Sequence, residues 1–133
     1  MKSFIKPVQT AVYSAITGDA TIMAKITGVF DFPPKDQPYP FVTIGEATVV
    51  PWRTHSQPGV EATLTLHIWS AYEGFDEAAG ILDDLDRLFG DEDLAVTGFS
   101  NVHSWFDFTE TLREPEGELR HVVARYRLRA LQD

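Results

Sequence analysis

Six carboxylates crowd one short stretch of the chain: Asp83, Asp84 and Asp86, then Asp91, Glu92 and Asp93. Carboxylates that converge on one point hold a divalent cation and support metal-assisted hydrolysis or phosphoryl chemistry. On a helix Asp83 and Asp86 share a side one turn apart, whereas Asp84 diverges by about 100°. The calcium-loop spacing, with its fixed glycine and terminal glutamate, is not matched. The run therefore reads as a solvated helix face. The four histidines, His55, His67, His103 and His121, show neither an i, i+4 pair nor zinc-ligand spacing. Three of them fall in strand-like segments and can meet across a sheet. Ser56, Ser70, Ser100 and Ser104 lack the glycine framing of a nucleophile elbow, and no phosphate-cradling glycine loop is present. The chain has no cysteine, which removes thiolate metal sites, cysteine nucleophiles and disulfides. A metal-dependent hydrolase reading thus stands on the Asp83 to Asp93 acids alone. No catalytic residue, metal ligand or cofactor is assigned.

Charge distribution says more than any single residue. Eleven Lys and Arg face twenty Asp and Glu, a net charge of -9 that disfavours a nucleic-acid backbone as the main partner. Nine acids against one base, Arg87, give a local balance of -8 between Glu73 and Asp93. Five of the eleven bases, Arg113, Arg120, Arg125, Arg127 and Arg129, gather near the last strand. Arg125, Arg127 and Arg129 alternate on one strand face, where they either pair across strands or meet another subunit. Two separated patches of opposite sign suit head-to-tail contacts, which close into rings.

The elements that must carry these groups follow from periodicity. Val8, Ala11, Val12, Ala15 and Ile16 make a helical stripe that begins around Ile5 to Pro7 and stops at Gly18. Asp19 caps a second, short helix through about Ile26. Four prolines then stiffen the stretch from Phe32 to Pro40. Phe41 to about Val50 is strand-like, Pro51 to Gly59 reads as a long mobile loop, and Ala62 to Trp69 alternates cleanly. Phe75, Ala78, Ala79, Leu82, Leu85, Leu88 and Phe89 form the broadest apolar helix stripe, ended by Gly90. In the strand from Gly98 to Glu110, Val102, Phe106 and Phe108 fall apart from His103 and Trp105. In the last strand Val122, Ala124, Tyr126 and Leu128 oppose His121, Val123, Arg125, Arg127 and Arg129. The expected fold is a single α+β domain over residues 1–133, an antiparallel sheet of about four strands with two amphipathic helices packed on one face. No apolar run approaches the roughly 20 residues that cross a bilayer, so no membrane partner is expected. Nor does the N-terminal segment have the apolar stretch of a secretory signal.

Three stretches together resemble one family. They are Val8 to Ile16, the Gly28-Val29-Phe30-Asp31-Phe32-Pro33-Pro34 piece, and Pro38-Tyr39-Pro40-Phe41-Val42-Thr43-Ile44-Gly45. With Leu64 to Ser70, the Asp76 to Phe89 helix and the strand from His121 to Leu131, they are similar in order to the tail-completion, or tail-terminator, proteins of long-tailed bacteriophages. The resemblance implies a structural virion subunit with no catalytic residues. Such subunits form a ring, a hexamer in this family, on the head-proximal end of the tail tube. That ring stops tube growth and presents the head-attachment surface.

The implied partners are further copies of the chain, the major tail tube protein and a head connector or stopper protein. DNA passes through the channel without specific binding. The implied location is the head–tail junction of the virion, after assembly in the host cytoplasm. A head-side neck or stopper protein of the same region is the alternative within this reading, and a generic regulatory binding module the alternative outside it. On this reading Arg125, Arg127, Arg129, Trp52 and His55 are expected at a subunit interface. Asp83, Asp84 and Asp86 are candidates for a negatively charged channel wall that keeps DNA from sticking.

Overall fold

The computed structural model describes residues 3–54, 56–114 and 119–133. Helix α1 spans Ile5–Thr17 and a four-residue helix, α2, spans Ala20–Met23. The Asp19 carboxylate caps α2, accepting a hydrogen bond from the Ile22 amide at 3.0 Å. Strands β1 (Val29–Phe30), β2 (Phe41–Arg53) and β3 (Pro58–Ser70) follow, then helix α3 (Asp76–Phe89). Strands β4 (Asp91–Asp93), β5 (Phe99–Arg113) and β6 (Arg120–Gln132) complete the chain.

The sheet has six strands in the order β1-β2-β3-β6-β5-β4. Because β1 runs parallel to β2 while every other pair is antiparallel, the sheet is mixed. This corrects the expected four-stranded antiparallel sheet with two helices. The short helix after Asp19 is present as expected, ending earlier, at Met23; the additions are strands of two and three residues at the two edges. Pieces this short carry no periodicity, and Asp91-Glu92-Asp93 has the composition of a turn. They become strands only because a long neighbour offers them a ladder.

The core lies between the helices and one face of the sheet. Val8, Val12 and Ile16 of α1 and Ala78, Ile81, Leu85 and Phe89 of α3 are buried with Leu64, Leu66 and Ile68 of β3 and Val122, Ala124, Tyr126 and Leu128 of β6. Each fully buried aliphatic side chain contributes about 1.5–3 kcal/mol, so this layer dominates stability.

Two further readings are corrected. Instead of a loop from Pro51 to Gly59, β2 continues to Arg53 and β3 begins at Pro58. Pro51 fits because β2 is flanked by β1 only at Val42 and Thr43, so its missing amide can face an unpaired edge. Phe108 stands with the arginines, not with Val102, because the ladder shifts register between Phe106 and Phe108 and one extra residue flips the alternation.

Candidate functional site

The face of the sheet away from the helices carries the chemistry-bearing side chains. Its upper half is an arginine ladder on β6. The Arg129 guanidinium lies over the rings of Trp52, 5.0 Å from its centroid, and Trp105, at 5.7 Å. Arg125 lies 4.5 Å over Phe108, and its Nε donates to Thr65 Oγ1 at 3.4 Å. Arg127 reaches Glu61 at 3.5 Å and Asp107 at 3.8 Å, and Arg129 approaches Glu61 at 3.7 Å. The side chains of Arg127 and Arg129 remain 44% and 46% exposed, so these long ion pairs are solvent-screened. Trp52 and the three arginines expected at an interface thus form one continuous surface. His55 lies outside the described residues.

In the lower half four side chains form a chain across the sheet. His67 Nδ1 and His121 Nε2 are 2.6 Å apart, Glu114 lies 3.0 Å from His121 Nδ1, and Glu46 lies 3.3 Å from His67 Nε2. One proton count satisfies all three contacts. That count is three protons on the two rings: each outer imidazole nitrogen would donate to its carboxylate, with one proton between the rings. A further proton opposes two N–H groups across 2.6 Å. Burial, with the neighbouring His67, pushes the His121 pKa down against the opposing pull of Glu114. Trp69 stacks on His121 at 3.9 Å and donates from Nε1 to Thr43 Oγ1 at 3.1 Å. Gly45 leaves room for this ring: a Cβ on it would stand 2.5 Å from His67 Nε2 and would displace the imidazole. An open groove of about 480 Å³ beside this chain is lined by Tyr39, Phe41, Glu46, His67 and Trp69. Sequence reasoning allowed the histidines to meet but did not pair His67 with His121, since only the β3–β6 register does that.

The acids of the α3 region separate rather than converge. Asp84 is buried, 2.8 Å from Lys25 Nζ in an ion pair off line for a hydrogen bond, and accepts from Arg87 at 3.3 Å. Asp86 accepts the Tyr126 hydroxyl at 2.5 Å. Of the three channel candidates, only Asp83 has an exposed side chain. Asp91 and Asp93 flank His103, at 2.8 Å and 2.7 Å. Among the described residues no three His, Asp or Glu side chains are arranged to hold a metal ion. Replacing Tyr126 with Phe should cost about 1–2 kcal/mol in urea unfolding, because the Asp86 carboxylate loses its buried donor.

His103 and His121 should titrate in opposite directions. Hydrogen bonds to Asp93, then Asp91, raise the His103 pKa above the ordinary imidazole value. The stability it contributes is complete below about pH 6.5 and fades as the pH rises through the raised value. His121 has the reverse sign. A proton titration followed by NMR should place His103 above and His121 below the free-imidazole midpoint.

Among the described residues the arginines of β6 thus lie on the open face of the sheet, and Asp83, Asp84 and Asp86 do not converge on one point. The model of the family described as "Tail completion protein gp17" matches residues 10–130. The chain belongs to this tail-completion family. Membership gives it a structural role in the phage tail or neck. The tail completion protein gp17 of Bacillus phage SPP1 is 25% identical over 125 residues, covering 92% of this chain and 90% of that protein. The solved structure of SPP1 gp17 superposes with a TM-score of 0.56 at 23% identity, covering 92% of this chain and 88% of the other. A chain from the virion of a native gene transfer agent particle superposes with a TM-score of 0.89 at 21% identity, covering 98% and 99%. At these identities the superpositions speak for the fold alone. The tail-completion family therefore accommodates the six-stranded mixed sheet found here.

Proposed function

We propose that the protein forms a ring, a hexamer, on the head-proximal end of a phage tail tube. There it stops growth of the tube and offers the surface to which the head's connector or stopper protein attaches. The observation that carries this reading is the family match across residues 10–130, nearly the whole chain. The open sheet face adds support. Trp52, Trp105 and Phe108, overlain by Arg125 and Arg129, combine planar apolar area with guanidinium donors, the composition enriched at protein interfaces. Arg125, Arg127, Arg129 and Trp52 are the interface residues on this reading. A channel-wall role for the α3 acids narrows to Asp83, since Asp84 and Asp86 are engaged within the subunit.

Tube polymerisation tests the proposal. Tail tube protein assembled with the subunit present should give tubes of limited length bearing one capped end. Unlimited growth with the subunit left in solution would contradict it. Trp52→Ala should reduce capping, read as the fraction of capped ends by electron microscopy. Wild-type capping by that variant removes Trp52 from the interface.

A further inference from the structure

Two stretches of sheet edge are left open, one on each side of the molecule. β1 covers β2 only at Val42 and Thr43, and β4 covers β5 from His103 to Trp105, with two further bonds, from the Leu94 amide to Val102 and from the Phe106 amide to Gly90. Beyond them, β2 from Ile44 to Arg53 and β5 from Asp107 to Arg113 have no outer strand among the described residues. Open edges of this length are templates for another chain, and native proteins usually blunt them. Here the longer one carries a single proline, Pro51, and the other none.

We infer that the free edge of β2 in one copy pairs antiparallel with the free edge of β5 in the next, so that adjacent subunits share a continuous sheet. This inference rests on the proposed ring for its choice of a second copy as the occupant. Four observations carry the pairing itself. The first is direction: β2 is antiparallel to β3, β3 to β6 and β6 to β5, so β5 set beside a neighbouring β2 in the same orientation is antiparallel to it.

The second is the supply of hydrogen-bonding groups. The bond from the Glu114 amide to Leu119 turns even-numbered positions of this end of β5 toward β6. Thr109, Thr111 and Arg113 then send their amides and carbonyls outward. On β2, Pro51 has no amide to give β3 and the Thr48 amide points to Thr63, so Ala47, Val49, Pro51 and Arg53 face outward. Placing Val49 opposite Thr111 aligns the two outward sets, with Pro51 one donor short opposite Thr109.

The third observation is clearance, because β1 and β4 act as stops. With Val49 opposite Thr111, β4 of the second copy passes beyond the Arg53 end of β2. The β5 end at Arg113 stops short of β1. The fourth is the resulting stagger. Within one subunit Val49 shares a row with Ala62, Leu128 and Ser104. Moving its outer partner from Ser104 to Thr111, less the bulged residue, shifts the ladder by about six residues over four strands. That corresponds to a tilt of about 45°, within the range at which sheets close on themselves. The same register places Val50, 52% exposed, diagonal to Leu112, 37% exposed, so two isolated apolar side chains cover one another.

Cysteine cross-linking tests the inference, since the chain has no cysteine of its own. Val50 and Glu110 oppose one another across the joint but lie about 25 Å apart within one chain, far beyond disulfide reach. V50C chains mixed with E110C chains on tail tubes should cross-link under mild oxidation, and neither should do so alone. The V50C/E110C double variant should give a covalent ladder of oligomers. Thr111→Pro removes one outward amide at an exposed position and should lower ring occupancy about tenfold, while Thr111→Ala should not. Circular dichroism and urea unfolding establish that both variants fold. Capped tubes without the cross-link, or Thr111→Pro capping like wild type, would overturn the edge pairing and leave the ring standing. V50C and E110C chains that cross-link to one another while the wild-type chain caps no tube would support the pairing and overturn the ring.

Discussion

The double variant Arg125→Glu/Arg127→Glu should remain folded and lose tube capping by more than about tenfold, as expected when several interface contacts turn repulsive. Within the subunit Arg127 makes long, half-exposed pairs, each of a kind worth about 0–1 kcal/mol, and Arg125 lies over the Phe108 ring. Reversal brings a new carboxylate against Glu61 and Asp107 and removes the guanidinium over Phe108. A fall of about 1–2 kcal/mol in unfolding free energy is therefore expected, leaving a folded monomer. The interface would lose two exposed donors and acquire like-charge contacts. Added salt should weaken wild-type capping in the same direction, because exposed charges beyond about 10 Å are screened at 0.1 M. Equal loss of stability with undiminished capping would show that the ladder serves only the sheet that carries it.

Acid should open the lower half of the same face. The His121 pKa is pushed down by burial and by His67, so between that value and the ordinary imidazole value the unfolded chain holds more protons than the folded one. The His121 contribution to stability is complete above about pH 6.5 and is lost as the pH falls. Once the extra proton binds the folded chain, the two N–H groups across 2.6 Å repel, and the stack of Trp69 on His121 loosens. Trp69 emission should change through this transition. His121→Phe should keep a stacked ring and abolish the pH-dependent change, whereas Gly45→Ala, whose Cβ displaces His67, should shift it. An emission profile of His121→Phe identical to wild type would refute this origin.

The residues on each face of the long strands were legible because alternation is a local property. Leu64, Leu66 and Ile68 oppose Thr63, Thr65 and His67, and in β6 the arginines oppose Tyr126 and Leu128, as the sequence suggests. What alternation cannot reveal is register. Bringing His67 to His121, or Arg129 between Trp52 and Trp105, depends on how separate strands slide past one another. The bulge that puts Phe108 beside Arg125 breaks the period of two with no glycine to announce it. Asp84 illustrates the same limit on a helix. Its place among the acids suggested solvent, but its side chain turns inward to Lys25, a contact set by the packing of α2 against α3. The extension of β2 through Pro51 was hidden for a different reason. A proline argues against a central strand, and only the topology reveals that this strand has an open edge.

The proposed ring is tested most directly by cryo-electron microscopy of tail tubes assembled with the subunit. The proposal predicts a closed ring of copies on one tube end, with the arginine-bearing sheet face contributing to contacts between copies. Tubes whose ends carry only tail tube protein, with the subunit monomeric in solution, would contradict it.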